Sequence, residues 1–132
     1  MRLARRRLIC IICPLGCEIE AVIEDGEIRS VSGNRCRRGL SYVEEELLRP
    51  KRVLMTVVKC RNGELPVVSV KTVKPIPKEK LLEAARLLAS VEVEAPVSRG
   101  DVILEDLFGS PVVATKTIRR AVSLNSLSFK VL

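Results

Sequence analysis

Four cysteines, Cys10, Cys13, Cys17 and Cys36, stand in the pattern C-x2-C-x3-C-x18-C in a chain of 132 residues that contains no histidine. Three thiols in one short loop, LICIICPLGC, and a fourth returned from a distance constrain the fold before any other feature: the intervening segment must double back. The pattern suits a cubane iron–sulfur cluster, whose thiolate ligands are spread around a body several ångströms wide. Pro14 stiffens the loop, and Gly16 permits inward-turned backbone, so that amide N–H groups can face cluster sulfurs. Zinc competes for the same ligands, but structural zinc sites usually combine two C-x2-C knuckles around a tetrahedral ion, which this spacing fits less well. A redox dithiol of Cys10 and Cys13 is the third reading, without the βαβ context of thioredoxin-like pairs. The expected ligands are therefore Cys10, Cys13, Cys17 and Cys36, for a 4Fe-4S cluster or, alternatively, for zinc. Cys60 has no cysteine near it and reads as a small, half-buried strand residue.

The required reversal is written in the segment between Cys17 and Cys36. Asp25-Gly26 separates two apolar runs, Ile19 to Ile23 and Ile28 to Val31, and predicts a two-residue hairpin, because both turn positions need positive φ. Asn62-Gly63 predicts a second hairpin within VLMTVVKCRNGELPVVSV. Between the two, SYVEEELLRP predicts a short helix capped by Ser41, with Glu44 three residues on and Pro50 as its stop. Val73 to Pro77 reads as a proline-punctuated linker. Beyond it, PKEKLLEAARLLAS is the clearest helix, with Leu81, Ala84, Ala85 and Leu88 on one face. Three strand-like pieces follow, VEVEAP, DVILEDLFG and PVVATKTI. The expected fold class is α+β in two lobes: a metal-binding lobe of hairpins and one helix over 1–72, and a small α+β lobe over 73–132.

Residues 1–61 carry 13 basic and 8 acidic side chains, and residues 62–132 carry 10 and 8, so most of the net +7 surrounds the cysteines. Arg35, Arg37 and Arg38 flank Cys36 itself. Such charge serves solubility, or it attracts an anionic cluster, an acidic partner or nucleic acid. Guanidinium groups beside a thiolate-ligated cubane would stabilise its negative charge and raise its reduction potential. With one Tyr, two Phe and no Trp, the chain lacks stacking platforms for bases, which weighs against nucleic acid. No apolar run is long enough to span a bilayer, and the RLARRRLI start is followed by too short an apolar stretch for an export signal. The expected location is accordingly the reducing cytoplasm, where grouped thiols serve metals more often than disulfides. Enzyme motifs are missing: there is no general-base histidine, nucleophile elbow, phosphate loop or dinucleotide fingerprint. Glu44, Glu45 and Glu46 fan around one helix instead of converging, so the chain alone is not expected to be catalytic.

The segment from LICIICPLGC through the Asp25-Gly26 hairpin to GNRCRRG resembles the N-terminal iron–sulfur segment of molybdopterin oxidoreductases. The resemblance implies that Cys10, Cys13, Cys17 and Cys36 ligate a 4Fe-4S cluster and that Arg38 corresponds to the basic residue lying between cluster and pterin in those enzymes. The x18 spacing is shorter than theirs, and the remaining chain is far too small for pterin-binding domains. A resemblance over most of the chain, carried by CIICPLGC, GNRCRRG, RPKRVLMT, VKTVKPIPKEK and APVSRGDVILEDLFGSPVVAT, is to a small prokaryotic family of uncharacterised CxxC-motif proteins. Members are commonly encoded beside FAD-dependent oxidoreductases, including relatives of anaerobic glycerol-3-phosphate dehydrogenase. What this implies is an accessory electron-transfer subunit with a flavoprotein partner. The alternative is a zinc-stabilised module whose basic surface contacts nucleic acid or a protein.

Overall fold

The computed structural model describes residues 3–122 and divides the chain into two compact units, Met1–Lys51 and Arg52–Leu132. The described residues form a mixed α+β fold, mostly strand, with two α-helices among them. Among the described residues no helix is long and apolar enough to cross a membrane.

The first unit is built on an antiparallel sheet in the order β1 (Leu3–Ile9), β2 (Glu18–Glu24), β3 (Glu27–Ser32). The Asp25-Gly26 hairpin forms as expected, with φ of 51° and 81° at its two turn residues. β2 alternates, burying Ile19 and Ala21 against Val43 of helix α1 (Arg37–Leu48), and Cys10 joins the same core. Two expectations are corrected here. The helix begins at Arg37 with Cys36 as its N-cap, one turn before Ser41, which lies inside it; Arg49 and Pro50 end it as anticipated. The arginine-rich start, read only as charged sequence, is a strand: its backbone pairs along β2, and Arg5 and Arg7 lie 3.6 and 3.8 Å from the Glu20 carboxylate.

The two-residue strand β4 (Lys51–Arg52) falls at the division itself. The second unit then holds β5 (Met55–Arg61), β6 (Val67–Thr72), β7 (Ile76–Pro77), a 3-10 turn at Lys78–Lys80, α2 (Leu81–Ala89), β8 (Glu92–Glu94), β9 (Val102–Leu107) and β10 (Ser110–Ala114). Five of these strands form one sheet in the order β8-β5-β6-β10-β9, antiparallel except for β5 with β8. A parallel neighbour needs a crossover, and α2 supplies it, packing Ala84 and Leu88 onto Val58, Val68 and Val70.

The expected break after residue 72 is displaced to Lys51/Arg52, because β5 and β6 hydrogen-bond into the sheet that β8, β9 and β10 complete. Val73 to Pro77 is likewise no linker. Ile76 is fully buried, the Val73 N–H donates to the Pro111 carbonyl at 3.0 Å, and the Lys74 N–H donates to the Ser110 hydroxyl at 2.8 Å. The second hairpin exists, but its turn is wider than two residues. The Cys60 N–H donates to the Pro66 carbonyl, Asn62 alone is left-handed at φ 56°, and the chain near Arg119 folds back over the turn. Gly63 is needed there for space: a Cβ would sit 2.9 Å from Ile118 Cγ2 and 3.0 Å from Cys60 Sγ. Cys60 is more deeply buried than expected, at 5% exposure.

Replacing Ile76 by Ala removes a fully buried side chain and is expected to cost about 2–5 kcal/mol in urea denaturation. Val73→Ala, at a half-exposed position, should stay within about 0.5 kcal/mol. Equal, negligible effects would restore the linker reading.

Candidate metal centre

The cysteine loop joins β1 to β2 and is closed at its neck by the Cys10 N–H donating to the Cys17 carbonyl at 2.9 Å. Gly16 takes φ 61°, which lets the loop turn inward. Cys10 is buried in the core of the first unit, Cys13 and Cys17 are half-buried, and Cys36 is exposed. The β2–β3 hairpin carries the chain back, and Gly33, at φ 94°, passes so close to Glu18 that a Cβ would collide with its carbonyl oxygen. Three residues later Cys36 begins α1.

All four pattern cysteines line one small cavity of about 90 Å³, with Ile12, Leu15, Arg35 and Arg38 among its walls. Cys60 lies in the other unit and takes no part. A larger, more open cleft of about 430 Å³ lies on the three-stranded sheet beside Arg7, Glu20 and Ser32. It contains no cysteine, so the smaller cavity is the candidate centre.

The exposed thiol of Cys36 is perturbed by its neighbours. The backbone N–H of Gly39, then that of Arg38, point toward Cys36 and hold its thiol below the ordinary cysteine range; desolvation opposes them, and the Arg38 guanidinium adds a smaller lowering effect. The contact falls outside ordinary cap hydrogen-bond geometry, so the effect is that of N–H dipoles and charge at a helix start. The first turn of α1 holds no acidic residue and opens with Arg37 and Arg38, which oppose the positive end of the helix dipole. Among the described residues Arg35, Arg37 and Arg38 make no ion pair with a carboxylate, whereas Arg5, Arg7 and Arg29 of the same unit pair with Glu20, Glu24 and Glu27. Positive charge is thus concentrated, without carboxylates, at the cavity that the thiols line.

Among the described residues no three His, Cys, Asp or Glu side chains converge tightly enough to hold one metal ion. The thiols share the wall of a cavity without meeting at a point. A tetrahedral zinc with bonds of about 2.3 Å would draw its sulfurs to within about 3.8 Å of one another. A cubane takes one thiolate at each of four separated irons. An all-sulfur donor set suits either group.

Residues 37–116 match the family described as protein of unknown function, DUF1667. The chain belongs to that family. The DUF1667 span begins one residue after Cys36, so it covers α1 and most of the second unit and leaves the four pattern cysteines outside it. An NMR structure of the Clostridium perfringens protein CPE0013 is similar over 60% of this chain and 92% of its own length, at 25% identity and a TM-score of 0.48. No curated protein matches. Membership of an uncharacterised family agrees with the expectation from sequence.

In the metal-free, reduced chain, iodoacetamide at neutral pH is expected to label Cys36 first, because it is exposed and its thiolate is favoured. Cys10 and Cys60, both buried, should label last, as read by peptide mass spectrometry over time. Uniform labelling rates in the folded protein would contradict this account of the Cys36 environment.

Proposed function

We propose that Cys10, Cys13, Cys17 and Cys36 hold a 4Fe-4S cluster and that the chain is an accessory, electron-transferring subunit of a flavin-dependent oxidoreductase system. The observation that carries this reading is that all four thiols, separated by up to 26 positions in sequence, line one cavity together with Arg35 and Arg38. When bound, such a cluster supplies one-electron transfer.

The protein's own groups suit that task in different ways. Cys10 anchors the centre to the core through its burial against Ile19, Ala21 and Val43. Cys36 offers a thiolate at little protonic cost, because the Gly39 and Arg38 amides favour its charged form. Arg35 and Arg38 offset the negative charge of a tetrathiolate centre and ease the addition of another electron, which raises its reduction potential. Ile12 and Leu15 supply apolar side chains to the cavity wall. The flavoprotein partner is supported by the sequence resemblance described above.

Protein purified without oxygen is expected to carry about four iron and four acid-labile sulfide per chain and a brown colour that bleaches with dithionite. About one zinc with no iron would replace this reading with that of a structural zinc module. Cys36→Ser should strip most of the bound metal, while Cys60→Ser should leave it nearly intact. Equal losses in the two variants would overturn the ligand assignment.

A further inference from the structure

The cluster loop presents apolar side chains outward. Ile11 is 76% exposed, Leu15 65% and Ile12 47%, and Ile9 at the end of β1 is exposed as well. Ile12, Leu15, Arg35 and Arg38 all contribute to the cavity wall. Arg35, Arg37 and Arg38 are all exposed and lack carboxylate partners among the described residues. An apolar centre bordered by unpaired guanidiniums is the composition of a protein interface, where arginine and desolvated apolar anchors carry most of the binding energy.

We propose that this face, Ile11, Ile12 and Leu15 with Arg35, Arg37 and Arg38, is the docking surface for an acidic one-electron carrier protein. The proposal rests on the cluster reading and adds the partner's chemistry: an apolar spot bordered by Asp and Glu side chains. Charge complementarity selects this occupant, since among the described residues no carboxylate pairs with any of these three exposed guanidiniums, and Arg37 lies outside the wall of the centre that Arg35 and Arg38 line. An anionic bilayer would also attract them, but the loop has no Trp, Tyr or Phe to seat at a membrane interface. Docking brings the carrier's centre beside the cavity; one electron lost by one centre is gained by the other, and no covalent bond forms.

Two high-potential acceptors of opposite charge test this by stopped flow with the anaerobically reduced protein: acidic plastocyanin and basic cytochrome c. At low salt plastocyanin is expected to react about tenfold faster or more, through electrostatic steering. The gap should shrink as ionic strength rises from about 0.01 to about 0.15 M, where the screening length falls from about 30 to about 8 Å. Arg37→Glu and Ile11→Ser, at rim positions outside the cavity wall, should slow the plastocyanin reaction several-fold with iron content unchanged. Iron present with equal rates for both acceptors, or rates insensitive to both variants, overturns the docking surface alone. Protein without iron overturns the cluster reading and this proposal with it. Pelleting with phosphatidylglycerol vesicles that Ile11→Ser abolishes, without discrimination between the acceptors, assigns the face to a membrane and overturns the protein partner.

Discussion

The close approach of Gly33 to the Glu18 carbonyl is the contact on which the first unit depends. At φ 94° the chain leaves β3, crosses the start of β2 with no room for a side chain, and delivers Cys36 to the mouth of the loop that begins at Cys10. Any larger residue would have to push the returning chain away from the loop, and Cys36 would leave with it. Gly39 repeats the theme on a smaller scale: a Cβ there would meet Asn34 at 3.2 Å and Ile19 at 3.4 Å, so the first turn of α1 can lie directly over the buried start of β2. Core and candidate centre are therefore one construction, in which Ile19 packs against the helix that Cys36 opens.

Parts of this were legible because their signals are local. The Asp25-Gly26 turn needs only its own two residues to adopt positive φ, and the α2 face shows as a spacing of apolar side chains within nine residues. What escaped the sequence depends on distant partners or on an unusual cap. β1 has almost no buried side chains and no apolar alternation, so nothing in LARRRLI announces a strand; its pairing with β2 supplies the structure. Cys36 is not among the residues favoured as N-caps, whereas Ser41, which is, lies inside the helix. The Val73 to Pro77 stretch carries the composition of a linker, and only the burial of Ile76 and the hydrogen bonds to Ser110 and Pro111 show that it is core. The four thiols were legible as a set from spacing alone, but the inward face of Gly16, the helix start at Cys36 and the sharing of one cavity were not.

The electrostatics of α1 point beyond the chain itself. A helix start favours acidic residues by about 0.3–1 kcal/mol each, and arginines placed there work against the dipole. This helix nonetheless opens with Arg37 and Arg38 beside Arg35, with no carboxylate in its first turn, in a unit whose strand residues Arg5, Arg7 and Arg29 lie beside glutamates. Natural sequences depart from local rules of this kind mainly where function requires it, and compensate elsewhere. Among the described residues the Cys36 thiol offers compensation, since Arg38 and the backbone amides of Gly39 and Arg38 favour its negative form. One thiolate leaves three guanidiniums largely unbalanced. A thiolate-ligated cluster in the cavity would add negative charge beside Arg35 and Arg38 and offset part of this imbalance at the helix start, while Arg37, outside the cavity wall, would stay unpaired and keep the rim positive.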